Sequence, residues 1–311
     1  MVRVAERVRR RSPIALAGAV VLLFAACRGG ERRIRVGSKN FSEQVILGEI
    51  AARALEARGI RVDRKLNLGG TFVCHNAIIA GELDLYPEYT GTAFTAILKR
   101  PPLSDPAAVR RAVTDEYTRR WKLVWSPPLG FENDFALIVR RDDSARMGLR
   151  RISDLRGKEA QIRPGFGYEF LERQDGFPGL VRAYDLRFPL RPLEMDLGLL
   201  YPALQSRKVD LIAGNSTDGL IAAVDGVVLE DDRRYFPPYE AGFVARGELW
   251  RRDARVREAL EGLAGKIDAA AMRRMNAAAD RAKRRPEDIA REFLASIAAP
   301  GGSAGARATP P

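Results

Sequence analysis

Catalytic chemistry has little to work with in this chain. It contains one histidine, His75, and two cysteines, Cys27 and Cys74. A Ser-His-Asp or Cys-His system would have to run through His75. Its neighbour Cys74 lies beside it on a predicted helix, where adjacent residues point in different directions. A transition-metal site would lack imidazole and thiolate ligands. No Walker loop or dinucleotide fingerprint occurs, and "GFG" at Gly165 to Gly167 is too short to count. The adjacent acids Asp231 and Asp232 sit in a polar turn and read as solvated. These absences argue against an enzyme, and no metal or other cofactor is expected. His75 is expected to be a hydrogen-bonded, partly buried residue. If Cys27 is modified, Cys74 has no disulfide partner. Beyond the N-terminal segment no apolar run reaches membrane-spanning length, so a transport role would need a separate permease.

The N-terminal segment reads as a processing signal. "MVRVAERVRRR" is basic, "SPIALAGAVVLLFAA" is apolar but short for a span, and Cys27 follows. "LFAAC" resembles a bacterial lipoprotein box, with Phe24 where Leu is usual. Plain secretion and an uncleaved anchor are the alternatives. On this reading residues 1–26 are a signal peptide, 27–33 a lipid-anchored tether, and the protein sits in the periplasm or cell envelope, held to a membrane by its lipid. Residues 1–26 hold five Arg and one Glu, a net of +4, so the remainder keeps +8 of the total +12. Arginine outnumbers lysine 44 to 8, but the basic residues are interspersed with acids. No block of aromatic and basic residues suggests nucleic acid, and none is expected as a partner.

The rest alternates strand and helix. Ile34 to Val36 reads as a strand. Ser42, Glu43 and Gln44 open a helix carrying Val45, Ile46, Ile50 and Leu55 at helical spacing, and Gly59 stops it. "IRVDRKLNLGG", "TFVCHNAIIAGE" and "LDLYPEYTGT" give strand, helix and strand. That alternation predicts a parallel α/β sheet with ligand sites at the strands' carboxyl ends. It recurs: "SDLRGKEAQIRPGF" as strand, "GYEFLERQDGFPGLVRAYDL" as helix, "RFPLRPLEMD" as strand region, then a helix, strand and loop ending in "LIAGNSTDG". "IIAGELDLYPEYTGT" and "LQSRKVDLIAGNSTDG" share one pattern. Aligning Asp84 with Asp210 sets Tyr89 opposite Asn215. The repeat implies two similar lobes whose loops face one cleft. From about Gly247 to Ile297 the pattern is helical and amphipathic, and residues 299–311 read as a disordered tail.

Tyr86 and Tyr89 stand where a strand gives way to small residues, which suits either packing or a ligand wall. Together with "VGSKNFSEQ", "GELDLYPEYTGT", "LGFENDFAL", "EFLERQDGFPGL", "STDG", "LEDDRRYFPPYEA" and "LAGKIDAAAMRRMN", in order from about Ile34 to Leu294, the chain resembles the substrate-binding proteins of osmoprotectant ABC importers. Their ligands are glycine betaine, choline, carnitine and proline betaine. The resemblance implies the two-lobe periplasmic-binding-protein fold with two crossing segments: one lobe from residues 34–133 plus 238–298, the other from 134–237, closing on ligand in the cleft between them. It implies a monomer delivering a small zwitterion to a permease and its ATPase.

A trimethylammonium group offers no ordinary hydrogen bond, so such sites surround it with aromatic faces, while cations and hydroxyls hold a ligand carboxylate. Mapped by motif, the cage positions fall on Tyr89, Phe135, Asn215 and Tyr239, and the carboxylate positions on Lys39, Thr92 and Arg173. All four cage positions are usually tyrosine in the family. Phe135 keeps the ring and loses the hydroxyl; Asn215 loses the ring. A neighbouring ring such as Tyr235 or Phe243, swinging in, would supply a replacement wall. Tyr86 is expected to pack. Two other readings are a less methylated amino acid or other zwitterion as ligand, and an extracytoplasmic sensor without a transport role.

Overall fold

The structure, a computed structural model, describes residues 33–298. Cys27 and the rest of the signal and tether through residue 32, and the 299–311 tail, lie outside the described residues. Ten strands follow in order: β1 (Ile34–Gly37), β2 (Val62–Lys65), β3 (Leu85–Tyr89), β4 (Leu123–Trp125), β5 (Phe135–Arg140), β6 (Pro164–Phe166), β7 (Leu193–Glu194), β8 (Leu211–Asn215), β9 (Gly226–Val228) and β10 (Ala241–Arg246). They form two five-stranded sheets, ordered β2-β1-β3-β10-β4 and β7-β6-β8-β5-β9.

The two sheets share one plan. In each, three strands linked by helices lie parallel, as right-handed crossovers require, and the fourth runs antiparallel: β10 beside β3, and β5 beside β8. The expected wholly parallel sheet is thus corrected to a mixed one. Strands β10 and β5 each enter their sheet from a segment that crosses over from the other, so no helical crossover fixes their direction.

The repeat extends to side chains. Asp84 Oδ2 accepts from the Arg35 backbone N–H (2.9 Å) and Nε (3.0 Å). Asp210 Oδ2 accepts from the Arg163 backbone N–H (3.1 Å) and Nε (2.7 Å). Arg35 lies on β1 and Arg163 just before β6, and the aspartates precede β3 and β8. Each pair ties the entry of the central strand to its neighbour.

The helix Ser42–Glu56 forms because Ile46, Leu47, Ile50, Ala54 and Leu55 fall on one face. It buries that face against the first sheet together with Phe243, Ala245, Val256 and Ile289. Beneath the second sheet Leu137, Val139, Phe166, Leu180 and Tyr184 make an equivalent core. The predicted single helix around Arg173 is two, Tyr168–Glu172 and Phe177–Tyr184. Arg173 is extended (φ −74°, ψ 146°), and Pro178 occupies the first turn of the second helix, where its missing N–H costs nothing. The predicted strand "RFPLRPLEMD" shrinks to the two residues of β7. After β10 come four helices of six residues or more, Gly247–Arg252, Ala254–Glu261, Ala269–Asp280 and Pro286–Ala298.

The sheets are joined by two segments, residues 126–134 and 229–240. These run side by side: Glu132 bridges Glu240, and the Asn133 N–H donates to the Tyr239 carbonyl at 3.1 Å. No helix among the described residues is long and apolar enough to cross a membrane.

His75 corrects its reading. It is buried, neither ring nitrogen has a hydrogen-bond partner, and it packs edge-on to Trp121 with ring centroids 4.6 Å apart. Burial, with some help from the Lys39 charge, lowers its pKa to about 4, so it stays neutral. Asp231 is likewise structural. It accepts from the backbone N–H groups of Tyr235 (3.0 Å) and Phe236 (2.9 Å) and so shapes the second crossing segment.

Candidate functional site

Where the carboxyl ends of β1, β3, β6 and β8 meet the crossing segments lies a cavity of about 890 Å³. That volume suits a small-molecule pocket. All seven residues singled out in the sequence line it: Lys39, Tyr89, Thr92, Phe135, Arg173, Asn215 and Tyr239. Lys39 follows β1 beside the first sheet, while Arg173 follows the helix Tyr168–Glu172 beside the second. Tyr235 and Phe243 do not line the cavity: the Tyr235 hydroxyl donates to the Gln174 carbonyl, and Phe243 is sealed in the core. The additional rings at the wall are Phe41, Phe72, Tyr168 and Phe170.

The two cations do not stand free. Lys39 Nζ donates to Glu88 Oε1 at 2.5 Å, and both side chains are buried. Arg173 binds Asp175 with two parallel bonds, Nε to Oδ1 at 2.9 Å and Nη2 to Oδ2 at 2.5 Å. Its Nη2 also donates to Thr92 Oγ1 at 3.3 Å, so a guanidinium from one side of the cavity meets a hydroxyl from the other. Burial alone would lower the Arg173 pKa; the Asp175 charge and hydrogen bonds outweigh it, and the net shift is upward. At Asp175 burial pushes up most strongly, but the Arg173 charge and hydrogen bonds, with hydrogen bonds from Tyr239 and Thr95, together hold the carboxyl below its ordinary range. Arg173 Nη1 stands 3.6 Å from the more distant Glu169.

The rings are bound into the same network. The Tyr239 hydroxyl donates to Asp175 Oδ2 at 2.6 Å, and the Tyr89 hydroxyl donates to Glu43 Oε1 at 2.7 Å. The Arg173 guanidinium lies 4.9 Å from the Phe135 ring centre, and Lys39 Nζ lies 5.2 Å from that of Tyr89. Cationic and aromatic groups therefore interleave; they do not form two separate ends. Phe135 meets Phe170 at 4.9 Å and Tyr239 at 5.7 Å, both edge-on. Asn215 pairs with Phe135 across β5 and β8. Its Nδ2 reaches Asp218 Oδ1 at 3.5 Å, and its backbone N–H donates to Asp218 Oδ2 at 2.9 Å. Tyr86 is fully buried and packs, as expected.

One contact spans the cavity mouth. Glu169 Oε1 accepts from the Thr71 backbone N–H at 2.5 Å and Oε2 accepts from the Thr71 hydroxyl at 3.0 Å. A carboxylate carried by the helix Tyr168–Glu172 thus caps the first turn of the helix Thr71–Ile79. Gly70 leaves it room, because a Cβ there would stand 2.2 Å from Glu169 Oε1.

Sequence reasoning missed Glu43, Glu88, Asp175, Asn133 and Glu169. A signal existed for Glu43, which falls in step with Ile46, Leu47 and Ile50 on the buried stripe of its helix. An acid on an apolar stripe has to find donors inside. Burial pushes its carboxyl above the ordinary range, against hydrogen bonds from Thr217, Tyr89 and Asn276.

The first crossing segment carries a titrating group. Burial, then the Glu132 charge, pushes Asp134 up to about 6, with the Tyr239 backbone acting against them. An acid whose folded pKa is raised favours the fold when protonated, so this contribution is lost as pH climbs from about 4 through 6. Asp134→Asn should therefore stabilise the protein at pH 7–8, by at most about 3 kcal/mol for a shift of about two units. The gain should vanish below about pH 4, where the wild type is itself protonated. Urea titrations of both proteins at three pH values measure this, and a gain independent of pH would refute the assignment.

The family model described as the substrate-binding domain of ABC-type glycine betaine transport systems matches residues 32–296. A Helicobacter pylori protein, an ergothioneine transport permease/ergothioneine binding protein, is 36% identical over 266 residues, 85% of this chain. The match spans 47% of that relative, so the chain corresponds to about half its length. A carnitine transport binding protein from Listeria monocytogenes is 32% identical over 84% of this chain and 85% of its own. A solved glycine betaine/carnitine/choline ABC transporter structure superposes with a TM-score of 0.71 at 32% identity, covering 85% of this chain and 98% of that one. With two matching sheets, a cavity between them and this similarity along nearly the whole described length, the chain belongs to the substrate-binding proteins of glycine betaine/carnitine-type ABC importers, a transport family and not an enzyme family.

Proposed function

We propose that the cavity binds a quaternary-ammonium zwitterion and that the protein carries it, outside the cytoplasm, to an ABC permease and its ATPase. The observation that carries this reading is the charge pairing. Lys39 comes with Glu88 and Arg173 with Asp175, so each of these two cations is already balanced by its own carboxylate before a ligand enters. A zwitterion adds no net charge. Its carboxylate takes the Lys39 and Arg173 donors not already used, and its ammonium meets the faces of Tyr89, Phe135 and Tyr239. The working lobes are residues 34–133 plus 238–298 and residues 134–237, acting in a monomer that closes on its ligand. "LFAAC" supports a lipid anchor on Cys27, which mass spectrometry of the mature N-terminus tests.

Asn215 tunes the choice of ligand. Losing one aromatic wall removes ~0.5–2 kcal/mol of cation binding, up to roughly 30-fold in affinity. Glycine betaine should therefore bind weakly. The Asn215 carbonyl accepts hydrogen bonds, which suits a zwitterion bearing an N–H group elsewhere. Calorimetry with glycine betaine, carnitine, choline and ergothioneine tests the reading, the last being a trimethylammonium zwitterion with ring N–H groups. Asn215→Tyr should raise glycine betaine affinity and lower that of the N–H-bearing ligand. If the wild type binds none of the four, the function proposed is wrong. If Asn215→Tyr changes no affinity, the specificity argument falls alone.

A further inference from the structure

The cavity wall is held in place by a residue that is not part of it. Glu43 does not line the cavity, yet its carboxylate accepts four hydrogen bonds from four distant stretches of chain. Oε1 receives the Tyr89 hydroxyl at 2.7 Å and Asn133 Nδ2 at 2.7 Å. Oε2 receives the Thr217 hydroxyl at 2.5 Å and Asn276 Nδ2 at 2.8 Å. Tyr89 ends β3 of the first sheet, Asn133 lies in the first crossing segment, Thr217 follows β8 of the second sheet, and Asn276 lies on the helix Ala269–Asp280. Asn276 Nδ2 also donates to the Thr217 carbonyl at 2.9 Å.

We propose that Glu43 is the positioning residue of the site, fixing Tyr89 against the cavity and fastening the second sheet's 216–219 loop to the first, so that cation recognition depends on a carboxylate the ligand never touches. This rests on the quaternary-ammonium reading of the cavity. A carboxylate offers about four lone-pair sites, and all four carry donors. Each of the four contacts is directed at Glu43 as acceptor, an arrangement that the ionised carboxylate satisfies in full and that works against the burial raising its pKa. The residue is only 3% exposed, so no water can replace a lost partner at low cost. Tyr89 gains twice. The bond fixes where its ring stands, and a phenol hydrogen drawn toward a carboxylate leaves more electron density on the ring, whose negative face attracts a cation. Asp175 does the same for Tyr239 through the 2.6 Å bond, so both tyrosine walls are backed by buried anions. Glu43 in addition fastens the loop after β8 to the end of β3 and to the helix Ala269–Asp280.

The test is a double-mutant cycle on the full chain with Glu43→Gln and Tyr89→Phe, read by calorimetry with glycine betaine and with tetramethylammonium, a probe of the cation site alone. Glutamine keeps the shape but turns an NH2 group toward donors. Glu43→Gln should weaken tetramethylammonium binding about ten-fold. In a Tyr89→Phe background the same change should cost several-fold less, because the link it acts through is already gone. A merely structural Glu43 would give equal losses in both backgrounds, and that result overturns the proposal. If Glu43→Gln does not fold, Tyr89→Phe alone decides: it keeps the ring and removes only the link, so it should still lose affinity several-fold, and an unchanged affinity overturns the proposal. A ligand-free readout separates this inference from the one beneath it. With tyrosine labelled at Cζ, the resonance that Tyr89→Phe deletes should move in Glu43→Gln, and a fixed resonance refutes the link. Should wild type bind no quaternary ammonium, the functional reading fails while that resonance still settles what Glu43 does.

Discussion

Replacing Arg173 by alanine should damage stability and binding together, and the two losses should separate on a second substitution. Asp175 is fully buried, and its charge is met by Arg173 and the Tyr239 hydroxyl. Removing the guanidinium leaves a buried charge with no cation and only neutral donors, a change that typically costs about 3–5 kcal/mol. It also removes the Thr92 contact across the cavity and the cation over Phe135. A ligand carboxylate held by Arg173 would bind about 10- to 100-fold more weakly for the loss of a charge-assisted bond of ~1.5–3 kcal/mol. Adding Asp175→Asn to Arg173→Ala should recover most of the stability in a urea titration, because no charge is then stranded. It should not recover affinity, because the ligand's anion partner is still missing. Recovery of both would make Arg173 a structural residue with no hand in binding.

The second large effect belongs to Gly219, the last residue of the "STDG" stretch. A Cβ there would lie 2.4 Å from the backbone nitrogen of Ala277 and 2.5 Å from its Cα. Those atoms belong to the helix Ala269–Asp280 and cannot rotate away as a side chain would. Gly219→Ala should therefore push the loop off the helix, with an overpacking cost of about 1–3 kcal/mol. Thermal melts should show a drop of about 2–4 °C for each kcal/mol in a protein of this size. The displaced loop carries Thr217 and Asp218 and begins at Asn215, so ligand affinity should fall with the melting temperature. A melt shifted without a change in affinity would mean that the loop's position does not matter to the site.

These two substitutions fall on stretches that were visible in the sequence, for reasons that were not. The spacing of Asp84 to Tyr89 and Asp210 to Asn215 was enough to see two lobes, because strand ends and their loops are local patterns. The partners that give the aspartates meaning, Arg35 and Arg163, lie 49 and 47 residues away and carry no local mark. The antiparallel course of β10 and β5 was equally invisible, since it depends on where a crossing segment delivers the chain. The seven cavity residues were legible from ordered motifs, six of them a ring, cation or hydroxyl of the type such a site needs and the seventh, Asn215, an amide in a ring's place. Their counter-ions were not. Glu88 stands next to Tyr89 and Asp175 two residues after Arg173, inside stretches already singled out. A surface loop would show an acid beside a base just as often, and only burial distinguishes the two cases.

The Glu169 cap on Thr71 makes one backbone amide a natural reporter. That N–H points across the cavity mouth and has its acceptor on the far side, so solvent deuterium can take its place only while the two sides stand apart. Its exchange rate then counts excursions of the cleft in the unlabelled protein, with the amides deep in β3 as an internal standard that answers only to global unfolding. Ligand that holds the mouth shut slows this amide by suppressing the opening of the cleft, while the standard slows only by the gain in global stability that binding confers, so occupancy of the site becomes readable from a hydrogen that the ligand does not contact.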